Sequence, residues 1–502
     1  MNPQIKQIVI VGGGSAGWMT AAALSSLLSP KDVSITLVES DQIGTIGVGE
    51  ATIPDIINFN RLLGIKEADF MKATEATFKL GIKFVDWGRK GHVYTHPFGS
   101  HGVDMNGIDF HQYWMHSRAA GNDHPIDDYS LCAVAGLSNK FALPDPNPQN
   151  IRSHIRYAYH FDATLYARFL RDYAETRGVR RVEGKVDQIM QAPETGYVTG
   201  LKLDNGELIS GELFFDCTGF SSLLLGKLMD VPYVDWSHWL PCNSVQAVGC
   251  THAGPLVPYT QSTARPAGWQ WRIPTQRRTG NGHIYCREFM SDDEAVSILL
   301  SNLDGEPLGA PRQIRFKAGH RREFWVKNCV AIGLSSGFLE PLESTSLYLI
   351  QEGISRFIAL FPDATLPEVV RDEYNRHMRT EFEQVRDFII LHFAATERDD
   401  SPFWNYCRNM SLPDSLNHKI DLFRQTGRTF RYEEELFSKA SWIAVLLGQG
   451  ITPQSYDPIV RNLPQTTVSE SLESMRLAMI KEAGRMPTHA DFIKSYCSAG
   501  TL

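Results

Sequence analysis

The sequence has no long apolar run. Its N-terminal apolar segment, Ile8 to Val11, stops at a glycine cluster, and no later stretch in the 502 residues is long enough to span a bilayer. This excludes a membrane-spanning helix, and the N-terminus reads as no signal peptide. A basic block is also missing: 49 Lys and Arg stand against 57 Asp and Glu, a net charge of −8. Nucleic acid and an anionic membrane are thereby excluded as partners. Cysteine is sparse and scattered, at Cys132, Cys217, Cys242, Cys250, Cys286, Cys329, Cys407 and Cys497, with no CxxC pair. That excludes a zinc ribbon and a redox dithiol, and fits thiols in a reducing cytoplasm. No internal repeat or low-complexity tract occurs. The length allows two or three domains around a large core.

What is present is clearest in the first forty residues. "QIVIV" is a β-branched run read as a buried parallel strand. "GGGSAG" follows, then the helical "WMTAAALSSLL" and a second strand, "VSITLVE", that ends at Glu39. Gly12, Gly14 and Gly17 have the GxGxxG spacing, and Glu39 lies 22 residues after Gly17. Gly12 permits the tight turn and Gly14 lets a pyrophosphate approach the backbone. Gly17 lets helix and strand pack closely, and Glu39 accepts from a ribose hydroxyl. A lone GxGxxG is a weak signal. Strand, glycines, helix, strand and terminal acid in register make a strong one, for a dinucleotide.

Further along, "DATLYARFLRDYAETRG" reads as a helix capped by Asp162, with Leu165, Phe169 and Tyr173 on its apolar face and Gly178 as its stop. "VRRVEGKVDQI" reads as one strand, and "GLKLDNGELI" as a hairpin turning at Asn205-Gly206. "ELFFDCTGF" and "NCVAIGLSSGF" read as late strands that return to the first sheet. From about residue 351 the pattern becomes helical. Val370, Tyr374, Met378, Phe382, Val385 and Ile389 form one apolar stripe, and His377 and His392 have no neighbours that complete a metal set.

One stretch carries a question, "GFLEPLESTSLYLI", Gly337 to Ile350. Glu343 precedes Ser344, Thr345 and Ser346 where a helix begins. The plain account is a hydroxyl N-cap with an acid favoured by the helix dipole. The sharper one is that free N–H groups hold an anion while Glu343 serves as an acid or base beside it.

"GGGSAGW", "GVGEATIP", "GWQWRIP" and "GFLEPLEST", in this order, resemble the flavin-dependent halogenases of the tryptophan and indole type. The resemblance implies an α/β (α+β) fold. Residues 1–350 would form an FAD-binding, Rossmann-like and monooxygenase-like core, discontinuous, with substrate-side segments at about 90–150 and 230–315. Residues 351–502 would form a mainly helical substrate-binding or capping region. It implies Lys79 and Glu343 as catalytic residues, and Ser344, Thr345 and Ser346 as the halide loop, with Ser346 where many relatives have glycine. FAD contacts would come from Gly12, Gly14, Ser15, Ala16, Gly17, Glu39, Gly49, Ala51, Val186, Leu334 and Leu347. His96, Phe98 and Phe437 would line the substrate site, and Trp269, Trp271 and Pro274 would wall off the flavin compartment.

The implied reaction uses FADH2, O2 and bromide or chloride to make hypohalous acid, which then halogenates an electron-rich aromatic, an indole derivative or similar ring. A separate reductase would supply FADH2, because the one dinucleotide site is taken by FAD; no metal is called for, and a homodimer is compatible with the reading. Packing accounts equally well for His96 and Phe98, and taken by position alone Lys79 is a solvated helix residue. Two rivals share the fold: a flavin monooxygenase that hydroxylates an aromatic ring, which needs neither halide nor Lys79, and a non-catalytic FAD-binding protein. In "FRYEEELFSKASWIAVLLGQG" there is no clear match to the clamp that tryptophan halogenases close on the amino-acid backbone, which makes free tryptophan a weaker substrate than a simpler indole, a larger metabolite or a tethered substrate; Tyr432, Phe437 and Trp442 serve there as pocket or as core.

Overall fold

The β-branched run forms the strand Gln7–Val11, and the alanine-rich segment after it forms the helix Ser15–Leu27. In the computed structural model, which describes residues 4–42 and 49–500, the chain folds as two units. The first comprises Met1–Glu75, Phe161–Ser237 and Phe316–Glu383; the second comprises Ala76–His160, His238–Arg315 and Gln384–Leu502.

The first unit holds a six-stranded sheet. Its order is Trp325–Val326, Cys329–Ala331, Leu213–Asp216, Gln7–Val11, Ser34–Glu39, Arg180–Glu183. All neighbours are parallel except the two-residue edge strand. The late strands therefore do return to the first, and Leu213–Asp216 pairs directly with it from Ile8↔Leu213 to Val11↔Asp216. Val9, Val11, Phe214, Leu201, Leu203 and Leu224 lie in the core on one side of this sheet.

Two sequence expectations change in this unit. "VRRVEGKVDQI" is two strands, Arg180–Glu183 in the parallel sheet and Val186–Gln191 in a separate antiparallel one, because the chain leaves the sheet at Gly184. Helix Ala163–Glu175 buries Tyr166, Leu170 and Ala174 with Ala163 and Ala167, instead of Leu165, Phe169 and Tyr173. The two stripes differ by one position on the same period. The small alanines win because they allow close packing on helix Ser15–Leu27. Asp162 caps as expected, accepting from the N–H groups of Thr164 and Leu165 at 2.9 and 3.1 Å.

The second unit is built on a seven-stranded sheet of order Arg312–Arg315, Ser244–Cys250, Thr279–Tyr285, Gly268–Pro274, Thr260–Arg265, Gly81–Val85, Val93–Pro97. Only the pair Thr260–Arg265 and Gly81–Val85 is parallel. Helix Lys439–Gly448 packs on its edge strand Val93–Pro97. The helix Glu368–Ala394, which begins in the first unit and ends in the second, buries Tyr374, Met378, Phe382, Val385 and Ile389 as its stripe requires. Its His377 pairs with Glu373 and its His392 meets the Tyr94 hydroxyl at 3.0 Å, so both are structural. All eight cysteines are buried free thiols. Among the described residues no helix is long and apolar enough to cross a membrane, and no cluster of ligands suits a metal ion.

Candidate active site

In the first unit the glycine turn is shaped by close approaches. Gly12 has φ +108°, and a Cβ there would lie 2.3 Å from the Cys217 carbonyl. A Cβ on Gly17 would lie 1.8 Å from the Gly12 carbonyl. Around Gly14, at the open end of helix Ser15–Leu27, an added Cβ would meet no heavy atom within 4 Å, and no side chain caps the helix. Glu39 ends its strand against Gly13, where any side chain would strike its carboxylate, and Arg181 donates to it at 2.5 Å. Uncapped N–H groups, glycine at each close approach and an acid fixed at the strand end fit the diphosphate and ribose of FAD.

The late loop is brought to the same helix. Gly333 has φ +74°, and a Cβ on it would lie 2.9 Å from Ala16 Cβ and 3.3 Å from Ile350 Cγ1. Ser335 donates to the carbonyls of Asp216 and Ile332, which locks the turn that carries Leu334. Leu347 is buried one helical turn before Ile350. Ser15, Ala16, Leu334 and Leu347 are thus gathered by one contact, whereas Val186 starts a strand of the small sheet, two residues after Gly184 donates to the Glu39 carbonyl. Gly49 and Ala51 are buried in the strand Gly49–Ala51; Gly47 and Val48 of the same motif lie outside the described residues.

The question posed by "EPLEST" has a structural answer. Pro341–Glu343 is a single 3₁₀ turn, Ser344 takes the left-handed conformation at φ +60°, and the helix starts at Ser346. Thr345 occupies the N-cap position, yet its backbone is helical and its side chain makes no cap bond. Its hydroxyl, 1 % exposed as a residue, has no hydrogen-bond partner among the described residues. Glu343 is equally buried. The hydroxyl-cap account is therefore not what is observed: the Thr345 side chain accepts from none of the first-turn N–H groups, which lie next to a buried acid. Ser346 has no positive φ, so the backbone strain of this loop sits at Ser344.

In the second unit Lys79 is a strand residue, not a helical one, and it is fully buried. Its strand, Thr77–Lys79, pairs with Ala158–Asp162 in the register Thr77↔His160, Phe78↔Tyr159, Lys79↔Ala158. Lys79 Nζ lies 5.2 Å from the centre of the Phe98 ring. The Thr77 hydroxyl donates to the Pro274 carbonyl at 2.6 Å and so accepts from His160 Nδ1 at 3.1 Å, which leaves His160 Nε2 to accept from Thr260 at 2.8 Å. This chain requires a neutral imidazole, and burial, with Lys79 nearby, holds the His160 pKa well below its ordinary value.

His96 and Phe437 come together through Phe388. Phe388 stacks on Phe437 at 3.7 Å and lies 5.6 Å from His96. Trp442 packs edge-on against the same ring, so it belongs to the core, while Tyr432 is exposed. Trp269 and Trp271 share one face of their strand, 5.9 Å apart. Trp271 needs the flat residue opposite it: a Cβ on Gly282 would lie 2.1 Å from the indole.

Residues 7–465 match the family model described as tryptophan halogenase. The chain belongs to this family. It is 35% identical to tryptophan 6-halogenase ThaL of Streptomyces albogriseolus over 508 residues, 94% of each chain. Among solved structures it resembles Xcc4156, a flavin-dependent halogenase from Xanthomonas campestris, with a TM-score of 0.96, 46% identity, and coverage of 99% of this chain and 100% of that one. BrvH, a flavin-dependent halogenase from Brevundimonas sp. BAL3, gives a TM-score of 0.96 at 45% identity over the same shares. The mixed α/β fold and the flavin-dependent halogenase reading of the four motifs are borne out.

Several residues of this halogenase escaped sequence reasoning. Glu50 stands between Gly49 and Ala51, and burial pushes its carboxyl up to about 7. Glu381 accepts from the Tyr348 hydroxyl at 2.9 Å, one turn into the helix that follows the acid loop. Burial pushes it up to about 7, opposed by that hydrogen bond and reinforced by Glu352. Asp216 anchors the loop under the glycine turn, accepting from Thr218, Leu224 and Leu225. An acid at a strand end was the only signal for Asp216, and Glu381 had none, since its partner Tyr348 is 33 residues away on another helix.

Proposed function

We propose that this halogenase oxidises bromide or chloride and places the halogen on a small electron-rich aromatic, an indole-type ring without an amino-acid group. The observation that carries the proposal is the start of helix Ser346–Ala359, where a first turn that Thr345 does not cap and a Thr345 hydroxyl with no partner among the described residues follow the buried Glu343 directly. Such a site holds an anion on dipoles, without a buried cation, and so keeps it partly dehydrated and easy to oxidise. Bound FADH2 supplies the electrons: with O2, halide and a proton it yields FAD, hypohalous acid and water. Gly12, Gly14, Ser15, Ala16, Gly17 and Glu39 would hold the diphosphate and ribose, and Gly49, Ala51, Val186, Leu334 and Leu347 would complete the FAD contacts.

Lys79 then controls the oxidant. Its ammonium donates a hydrogen bond to hypohalous acid, or its amine carries the halogen as a haloamine with loss of water. Burial keeps it from exchanging the halogen with bulk solvent. When the ring carbon has gained halogen it must lose a proton, and Glu343 takes it. His96, Phe98 and Phe437 hold the aromatic by its faces. Trp269, Trp271 and Pro274 wall the flavin compartment against bulky molecules. In this reading residues 1–350 carry the FAD chemistry, with substrate-side insertions at 90–150 and 230–315, and residues 351–502 contribute the substrate side. A separate flavin reductase in the cytoplasm supplies FADH2.

The substrate assignment rests on Glu435. This acid, in the segment where relatives grip an amino acid, is buried in an ion pair with Lys419 at 2.7 Å, and Lys419 lies 4.3 Å from the Trp442 ring. An acid already neutralised offers nothing to a substrate ammonium. The test is incubation with FAD, a flavin reductase, NADH, indole and bromide, read by mass spectrometry. Bromoindole is expected from the parent and none from Lys79→Ala, which should still bind FAD. Product from the variant at near-parental rate would sink the role given to Lys79.

A further inference from the structure

The strand that carries Lys79 has only three residues and lies at the edge of its sheet. Such a strand is poorly held by its own pairing, and a slip of one residue would exchange the faces of Phe78 and Lys79. On its outer edge the Phe78 N–H donates to a side chain, His489 Nε2, at 3.1 Å. Nε2 must then be the acceptor nitrogen, so the proton is on Nδ1 and is donated to the Leu256 carbonyl at 3.1 Å. A fully buried imidazole that bridges two backbone groups in this way must be neutral, and burial pushes His489 down to about 4.

A second tie lies just before the strand. Gln276 Nε2 donates to the Ala76 carbonyl at 2.7 Å and to the Cys497 carbonyl at 3.1 Å, and its Oε1 accepts from Ala499 N–H at 2.7 Å. Phe78 itself stacks on Phe141 at 4.0 Å and meets Phe492 edge-on at 5.5 Å. His489, Phe492, Cys497 and Ala499 all belong to the last segment of the chain, beyond residue 465 where the family match ends.

We propose that the C-terminal segment from His489 to Ala499 is a positioning clamp for Lys79, with His489 and Gln276 holding the lysine strand in the register that delivers halogen to the ring. The clamp touches no reacting atom. It rests on the halogenase reading of Lys79 given above. Its loss leaves halide oxidation intact and misplaces the residue that controls the oxidant, so hypohalous acid escapes.

The experiment is a single turnover of FADH2-loaded enzyme mixed with O2, bromide and indole, with and without a 1,3-diketone that traps hypobromous acid. The quantity read is bromoindole formed per FADH2 oxidised, beside FAD affinity and the melting temperature. His489→Phe and Gln276→Leu should each lower that ratio about 10-fold, with a matching rise in trapped hypobromous acid and unchanged FAD affinity. His489→Gln, which restores an acceptor, should recover part of it. Gln276 is only half-buried, so its variant carries the test if His489→Phe does not fold. Folded variants with the parental ratio would overturn the clamp, and so would variants in which hypobromous acid falls together with product, the mark of general damage. Lys79→Ala separates the two readings. Uncoupling in Lys79→Ala with full coupling in both clamp variants sinks the clamp alone, and parental coupling in Lys79→Ala sinks the lysine reading and the clamp with it.

Discussion

Replacing Thr345 by valine should make the enzyme more stable and worse at its reaction. The side chain is buried, sits at an N-cap with helical backbone angles of φ −91° and ψ −6°, and its hydroxyl has no partner among the described residues. A buried hydroxyl left unsatisfied costs about 1–3 kcal/mol, and valine removes it with almost no change of shape. In halide-free buffer Thr345→Val should therefore gain at least about 1 kcal/mol. Unfolding entropy scales with length at about 2.1 cal/mol/K per residue, so for 502 residues that gain corresponds to roughly 1 °C in melting temperature. Bromide should raise the melting temperature of the parent and leave the variant almost unmoved. A hydrogen bond to a charged group contributes about 1.5–3 kcal/mol, so KM for bromide should rise about 10- to 100-fold. Calorimetry with and without bromide, beside halide-dependent turnover, measures both. A variant less stable than the parent in halide-free buffer would mean that the hydroxyl already has a partner. An unchanged bromide KM would remove Thr345 from the halide site.

Other outcomes follow from the same geometry. Glu343→Gln should cut turnover by about 10²-fold, the scale of a positioned acid or base, while FADH2 oxidation persists; turnover within a few-fold of the parent would leave Glu343 a structural residue. Ser346 carries no positive φ, so its effect is one of side-chain size: bromide should outcompete chloride at equal concentration, and Ser346→Gly should narrow the ratio measured in mixed-halide assays. Between pH 5 and 7 two sets of buried groups act in opposite directions: His160 and His489, held neutral when folded, add stability as pH rises towards 6.5, whereas Glu381 removes it. Glu381 binds its proton more tightly folded, at about 7 against an ordinary 4.5, because burial raises it, with Glu352 and Asp55 adding to the rise and Tyr348 and Arg356 opposing it. Its contribution is present below pH 4.5 and is lost through pH 7, about 3 kcal/mol in all. Glu50 acts in the same direction as Glu381, so Glu381→Gln, which removes one of these acids, should make the melting temperature rise more, or fall less, between pH 5 and 7 than in the parent, and an unchanged slope would remove Glu381 from the account.

Elements whose physics is local are legible in the amino-acid order alone. A β-branched run, glycines at a fixed spacing and an acid at the end of the next strand define the dinucleotide turn, because each acts on neighbours within forty residues. The Asp162 cap, the Asn205-Gly206 turn and the long helical stripe were legible for the same reason. Tertiary structure decided whatever depends on two remote segments meeting. Which stripe of helix Ala163–Glu175 is buried was set by the alanines available to pack against another helix. Whether Thr345 caps its helix was set by the left-handed turn at Ser344, which delivers the chain with its hydroxyl off the N–H groups. Lys79 could be read as a solvated helix residue because nothing beside it in the chain announces the strand. Its partners are Ala158 across the ladder, Phe98 over its ammonium, and His489, 411 residues from Phe78, on the outer edge. Burial makes a lysine or an imidazole chemically distinctive, and burial is a property of the folded chain.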